Sequence, residues 1–171
     1  MLKALIMTAD GFDDLQFFYP WYRLQEEGIQ VTLASPGSHT LQGKHGYRVE
    51  PDMPLHEVNP AEYDLLYIPG GEAPERLRLR ERAVDIARTF MEEDRRVATL
   101  CHGAQLLISA GALNGRTVTC AAGIRDDVKA AGATYRDEAV VNDSNLLSGR
   151  ATDDLPQFCH QLVAVLTARV G

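Results

Sequence analysis

Short apolar runs alternate along this chain with longer stretches of helical period. Lys3–Met7, residues 30–34, Leu65–Ile68 and Arg96–Leu100 are each too short for a stable helix and carry the apolar, partly β-branched residues of a buried strand. Between them, residues 14–27 and 80–93 repeat their apolar positions every three or four residues, the second through Ala83, Val84, Ile86, Ala87 and Phe90. Gly28 closes the first of these helices as a C-cap. A Gly-rich segment, 35–47, with extended pieces at 40–42 and 48–51, reads as a small hairpin or excursion from the sheet. Further on, the pattern predicts a helix over 104–110 ending at Gly111, a strand at Val118 and a short helix over 125–131 capped by Gly132. A terminal strand pair at Val140-Val141 and Leu146-Leu147 and a closing helix over 155–170 complete it. Strands alternating with helices imply parallel βαβ units and a three-layer α/β sandwich. In such sheets a site lies beyond the carboxyl ends of the strands. Residues 10–13, Gly70-Gly71 and Cys101 each follow a predicted strand, so they are expected to meet at one edge.

Length and charge narrow the function. With 171 residues the chain is expected to form one domain, 1–171, able to bury a core without disulfides or metals. A net charge of −7 argues against a nucleic-acid partner, and no apolar run approaches the ~20 residues of a membrane-spanning helix. The opening Met1–Met7 reads as the first strand rather than as a signal peptide. Three widely spaced cysteines form no disulfide framework, which fits a cytoplasmic protein. The five histidines lack ligand spacing and no CxxC occurs, so neither a metal nor another cofactor is expected.

The chemistry concentrates in residues 95–108, RRVATLCHGAQLLI. A strand runs into Cys101 and a helix is predicted straight after it, which sets the thiol at a sharp turn beside unpaired backbone N–H groups. Those donors and the helix dipole are expected to lower the thiol pKa. The N–H of the residue after such a nucleophile, His102, helps to hold an oxyanion. The Gly-Gly turn after the strand at 65–68 offers a second N–H, that of Gly71. Cys101 has a plainer reading as a small buried hydrophobe, and the other two cysteines serve as controls. Cys159 also precedes a histidine, His160, but inside a predicted helix; Cys120 has no distinctive context and reads as packing. His102 either pairs its imidazole with the thiol or contributes only its backbone N–H. As a base it needs an orienting acceptor, for which Glu75 is a candidate and Glu72 reads as solvated charge. Asp13 and Asp14 are equal candidates for the helix N-cap. A carboxylate beside the thiol raises its pKa when ionised and stabilises the thiolate only when protonated.

Taken together, ATLCHG at 98–103, PGGEAPER at 69–76, FDD at 12–14, GKHGY at 43–47 and GIRDD at 123–127 resemble the PfpI family. That family comprises intracellular cysteine peptidases and protein deglycases, in the superfamily of the Parkinsonism-linked redox protein. The likeness runs from Lys3 to the last helix. It implies a flavodoxin-like sandwich, Cys101 as nucleophile with His102 beside it, and an oxyanion hole formed by the N–H groups of Gly71 and His102. It also implies a homo-oligomer, in which Glu75 of a neighbouring subunit orients His102. Asp13 stands where the family usually has a glutamate contacting the nucleophile, and Ala121 where its peptidases often carry a tyrosine. The function implied is a cysteine-dependent hydrolase in a stress response: a deglycase of glyoxal- or methylglyoxal-modified proteins, an intracellular peptidase, or both. Its substrates would be glycated proteins, peptides or small carbonyl compounds, with glyoxalase activity related to these. The alternative is a non-enzymatic redox sensor that uses oxidation of Cys101. A class I amidotransferase fits less well, because such enzymes need a late His-x-Glu and His160 is followed by Gln161-Leu162.

Overall fold

Along the described residues, 1–168, the computed structural model carries β1 (Lys3–Met7), α1 (Asp14–Glu26), β2 (Gln30–Ser35), β3 (Leu41–Gln42), β4 (Arg48–Val49) and β5 (Met53–Pro54). Then come β6 (Leu65–Ile68), α2 (Ala73–Leu77), α3 (Glu81–Glu92), β7 (Arg96–Leu100) and α4 (Ala104–Ser109). The remainder comprises β8 (Thr117–Val118), α5 (Arg125–Ala130), β9 (Thr134–Tyr135), β10 (Val140–Asp143), β11 (Leu146–Gly149) and α6 (Leu155–Thr167). Seven strands form the central sheet in the order β10-β11-β7-β6-β1-β2-β5, parallel except where β10 runs against β11. Helices α1 and α6 pack together on one face, and α2, α3 and α4 on the other. Both faces of the inner strands are thereby covered. That is why β1 and β6 are continuous apolar runs and not alternating ones, with Ala4, Leu5 and Ile6 paired to Leu65, Leu66 and Tyr67.

The helices follow their patterns. In α3 the buried residues are Ala83, Ile86, Ala87 and Phe90, one stripe of a 3.6-residue period. Helix α1 continues through Pro20, whose missing N–H leaves the Gln16 carbonyl without its helical donor. The buried Tyr67 hydroxyl fills that gap, donating to the Gln16 carbonyl over 2.6 Å. The glycine-rich segment makes the small hairpin β3–β4, with Leu41 opposite Val49.

Three features depart from the sequence pattern. Met53–Pro54 adds a parallel edge strand to β2. Val118 belongs to a two-stranded unit with β9, outside the main sheet. A further helix, α2, follows the Gly-Gly turn. Of the closing helix predicted over 155–170, α6 occupies Leu155–Thr167, and residues 169 and 170 lie outside the described residues. No helix among the described residues is long and apolar enough to cross a membrane.

Candidate active site

Cys101 sits where β7 turns into a single 3₁₀ turn, Cys101–Gly103, that leads to α4. Its φ of 59° is a left-handed conformation that costs an L-residue roughly 1–2 kcal/mol. The surroundings hold it there. The Ala121 N–H donates to the Cys101 carbonyl over 3.1 Å. A Cβ at position 70 would lie 2.9 Å from both the Cys101 Cβ and the Leu100 carbonyl oxygen, so only glycine lets the β6 turn approach this closely. The turn brings Cys101 Sγ within 3.3 Å of His102 Nδ1.

The loop after β1 is stitched to the loop after β6 by an isolated antiparallel bridge between Phe12 and Gly71. Its hydrogen bonds run from the Asp13 N–H to the Gly70 carbonyl (3.1 Å) and from the Glu72 N–H to the Gly11 carbonyl (2.8 Å). Gly71's own N–H is left out of the pairing and is turned toward the Cys101 sulfur, as is that of His102.

Helix α1 supplies the third wall. Asp13 is its N-cap, the Oδ1 accepting from the Gln16 backbone N–H over 3.1 Å. Asp14 is spent differently: its carboxylate accepts from the N–H groups of His45 (2.9 Å) and Tyr47 (3.0 Å) and so fixes the 43–47 loop. That loop carries Lys44, whose Nζ stands 4.0 Å from Asp13 Oδ2. One turn into the helix, Gln16 is 1% exposed. Its Oε1 accepts from the Gly70 N–H over 2.8 Å and its Nε2 donates to Thr152 Oγ1 over 3.0 Å.

Electrostatics corrects one expectation. Burial pushes the Cys101 thiol up from its ordinary value, and the Asp13 charge adds to that rise. The Gln16 side chain and the N–H groups of His102 and Gly71, all donors facing the sulfur, pull it down without cancelling the rise. The expected lowering is not realised, because burial outweighs the donors that face the sulfur. Burial also lowers His102, helped by the Lys44 charge and opposed by that of Glu75, so its imidazole is neutral at pH 7 and free to accept a proton. Cys120 and Cys159 are both pushed up to about 12, mainly by burial.

Asp13, Gly71, Glu75, Cys101 and His102 all line one cavity of about 460 Å³. Glu75 of the same chain thus stands in the wall beside His102, whose side chain makes no hydrogen bond among the described residues other than that to Cys101. No cluster of three or more potential metal ligands occurs among the described residues.

The sequence profile of the DJ-1/PfpI family matches residues 2–165. The chain belongs to the DJ-1/PfpI family. A protein of Pyrococcus furiosus named deglycase PfpI is 48% identical over 165 residues, covering 96% of this chain and 99% of that one. A deglycase of Thermococcus kodakarensis is also 48% identical, with the same coverage. Among solved structures, a two-domain protein of Anabaena variabilis with DJ-1/ThiJ/PfpI-like and ferritin-like domains superposes with a TM-score of 0.95 at 32% identity. The match covers 97% of this chain and 48% of that one. Drosophila melanogaster DJ-1beta, at 22% identity, shares the fold with a TM-score of 0.91 over 98% of this chain and 91% of its own.

Within this DJ-1/PfpI chain, the α1 side chain offered to the nucleophile as a donor is that of Gln16. Asp13, which stands where the resemblance places a contacting glutamate, is held by its capping bond and acts on the sulfur through charge alone. Gln16 had one signal in the sequence, its place three residues after an N-cap aspartate, where the first turn of α1 faces the strand ends.

Proposed function

We propose that this protein is a cysteine-dependent deglycase that removes α-oxoaldehyde adducts from proteins and peptides. The observation that carries the reading is the meeting of Cys101 Sγ, the neutral His102 imidazole 3.3 Å away and the unspent Gly71 N–H at the wall of one cavity. Relatives named deglycase at 48% identity support the choice of substrate.

In this reading the adduct's aminocarbinol opens, its C–N bond breaking as the hydroxyl becomes an aldehyde carbonyl and the proton goes to the departing amine. His102 Nδ1 takes the thiol proton and the Cys101 sulfur adds to that aldehyde carbon. As the C–S bond forms, the carbonyl pair moves onto oxygen, where the N–H groups of Gly71 and His102 receive it. The imidazolium gives its proton to that oxygen to complete a hemithioacetal. A proton shift from this carbon to the neighbouring carbonyl carbon turns it into a 2-hydroxyacyl thioester, and water hydrolyses the thioester to a 2-hydroxy acid and the free thiol. Asp13 shapes the site by capping α1 and by setting the charge near the sulfur. Glu75 steadies the imidazolium, in a homo-oligomer from the neighbouring copy. Attack of the same sulfur on an amide, with the amine leaving from the attacked carbon and water hydrolysing the resulting thioester, would make the protein a peptidase, and a substrate panel separates the two.

Turnover of methylglyoxal-modified peptides by wild type and Cys101→Ser tests the reading. Activity is expected in the first and none in the second. A serine variant that retains wild-type turnover, or an inactive wild type that only accumulates oxidised Cys101, removes the hydrolase.

A further inference from the structure

The hydrogen bonds around Gln16 have a fixed polarity. Its carboxamide is buried, and one end faces the Gly70 N–H, which can only donate. Oε1 must therefore be the atom at that end, since a flipped amide would set NH₂ against N–H. The other end, Nε2, donates to Thr152 Oγ1, so Thr152 is an acceptor toward Gln16. A hydroxyl has one proton, and no group among the described residues accepts that of Thr152. Thr152 lines the same cavity as Cys101 and His102, so that proton is available to a group bound there. The turn that carries it is rigid. Arg150 grips the Asp154 carboxylate through Nε and a terminal guanidinium N–H, each over 3.1 Å, and the Asp154 N–H donates to the Ala151 carbonyl over 3.0 Å.

We propose that Thr152 is a specificity-determining residue whose hydroxyl donates to a second oxygen of the substrate. The proposal rests on the reading of Cys101 as the nucleophile. The N–H groups of Gly71 and His102 serve the oxygen on the attacked carbon. Thr152, on the opposite segment, serves an oxygen on the neighbouring carbon. The substrate class selected is one with oxygen on two adjacent carbons, as in adducts of glyoxal or methylglyoxal, over adducts of simple aldehydes.

Two aldehydes of equal chain length test this without requiring turnover. Methylglyoxal and propanal each add reversibly to a thiolate as a hemithioacetal, and only methylglyoxal carries the second oxygen. Their affinities are read from the protection of Cys101 against alkylation in wild type, Thr152→Val and Thr152→Ser. Loss of one neutral hydrogen bond predicts a methylglyoxal affinity weakened about 3- to 10-fold in Thr152→Val, an unchanged propanal affinity, and recovery in Thr152→Ser. Equal weakening of both aldehydes, the signature of a structural effect relayed through Gln16, overturns the proposal, as does no change in either. If Thr152→Val does not fold, Thr152→Ala allows the same comparison. Because the readout is binding, a wild type without hydrolase activity would count against the proposed function and leave this measurement to stand by itself.

Discussion

Replacing Gln16 by methionine keeps an unbranched side chain of similar length and deletes every polar contact the carboxamide makes. The Gly70 N–H, held at 2.8 Å in a buried setting, loses its acceptor, which costs about 1–3 kcal/mol. Thr152 is at the cavity wall, where water can replace the lost bond, so its share is small. For a chain of this size a loss of about 2 kcal/mol lowers Tm by roughly 4–8 °C. The chemical effect is separate. A donor to a thiolate is worth about 1.5–3 kcal/mol, or about 1–2 pKa units, so the Cys101 thiol rises further. Each unit cuts the thiolate fraction at neutral pH about tenfold, while the more basic thiolate regains about threefold in intrinsic reactivity. The net expectation is alkylation of Cys101 at pH 7 slowed about 3- to 10-fold, with the midpoint of its pH–rate curve moved upward. Stopped-flow alkylation across pH, together with a thermal melt, measures both. A variant with the wild-type midpoint would refute the assignment of Gln16 as a donor to the sulfur, whatever the melt shows.

Cys120 and Cys159, both buried with thiols pushed up to about 12, should react with alkylating agents or mild peroxide only after Cys101; mass mapping that finds equal labelling would sink the elbow argument. Glu75→Gln removes the charge that opposes the lowering of His102, so the acid limb of the pH–rate profile should move to lower pH and turnover should fall; an unchanged profile removes Glu75 from the site. If the acting Glu75 belongs to a second copy, wild-type activity should also decline on dilution, and a fully active monomer in sedimentation would exclude sharing. Asp143 accepts from the Thr117 N–H (2.8 Å) and Arg116 Nε (3.1 Å), which hold its folded pKa below the ordinary 3.8. Its contribution is therefore present above that pH and lost as pH falls through the folded value. Asp143→Ala should cost about 1 kcal/mol at pH 7, and urea melts at successively lower pH should show the difference between the two proteins narrowing only below the ordinary carboxyl value.

What the sequence makes legible follows from how many residues share a signal. The stripe of α3 repeats its 3.6-residue period several times over, and β1, β6 and β7 are continuous apolar runs set between helical patterns, so the parallel sheet and its layers can be read from them. Cys101 and Gly71 stand out because an apolar run leads into each, in one case to a cysteine followed by a helical pattern and in the other to a Gly-Gly turn. Met53–Pro54, Thr134–Tyr135 and the five residues of α2 carry neither an apolar run nor a full helical period, which hides β5, β9 and α2; the strand at Val118 is legible, but its place outside the main sheet is not. Gln16 is hidden for a different reason. An uncharged amide on a helix reads as solvated, and only the fold reveals that the Gly70 N–H and Thr152 close around it. The thiol's upward shift is likewise a property of burial, which no local motif records.

The bridge between Phe12 and Gly71 makes the site sensitive to loop length more than to loop composition. In antiparallel pairing, successive residues alternate between spending their N–H on the partner strand and keeping it, so parity decides which residue is free. A single-residue insertion or deletion before Phe12, or between Ile68 and Gly71, would shift that parity by one. Gly71 would then spend its N–H on backbone pairing, and the anion pocket would be lost with Cys101, His102 and Gly71 all still present. Through this stretch the number of residues between strand and helix is itself a functional constraint, and a length change there should inactivate a protein that still folds.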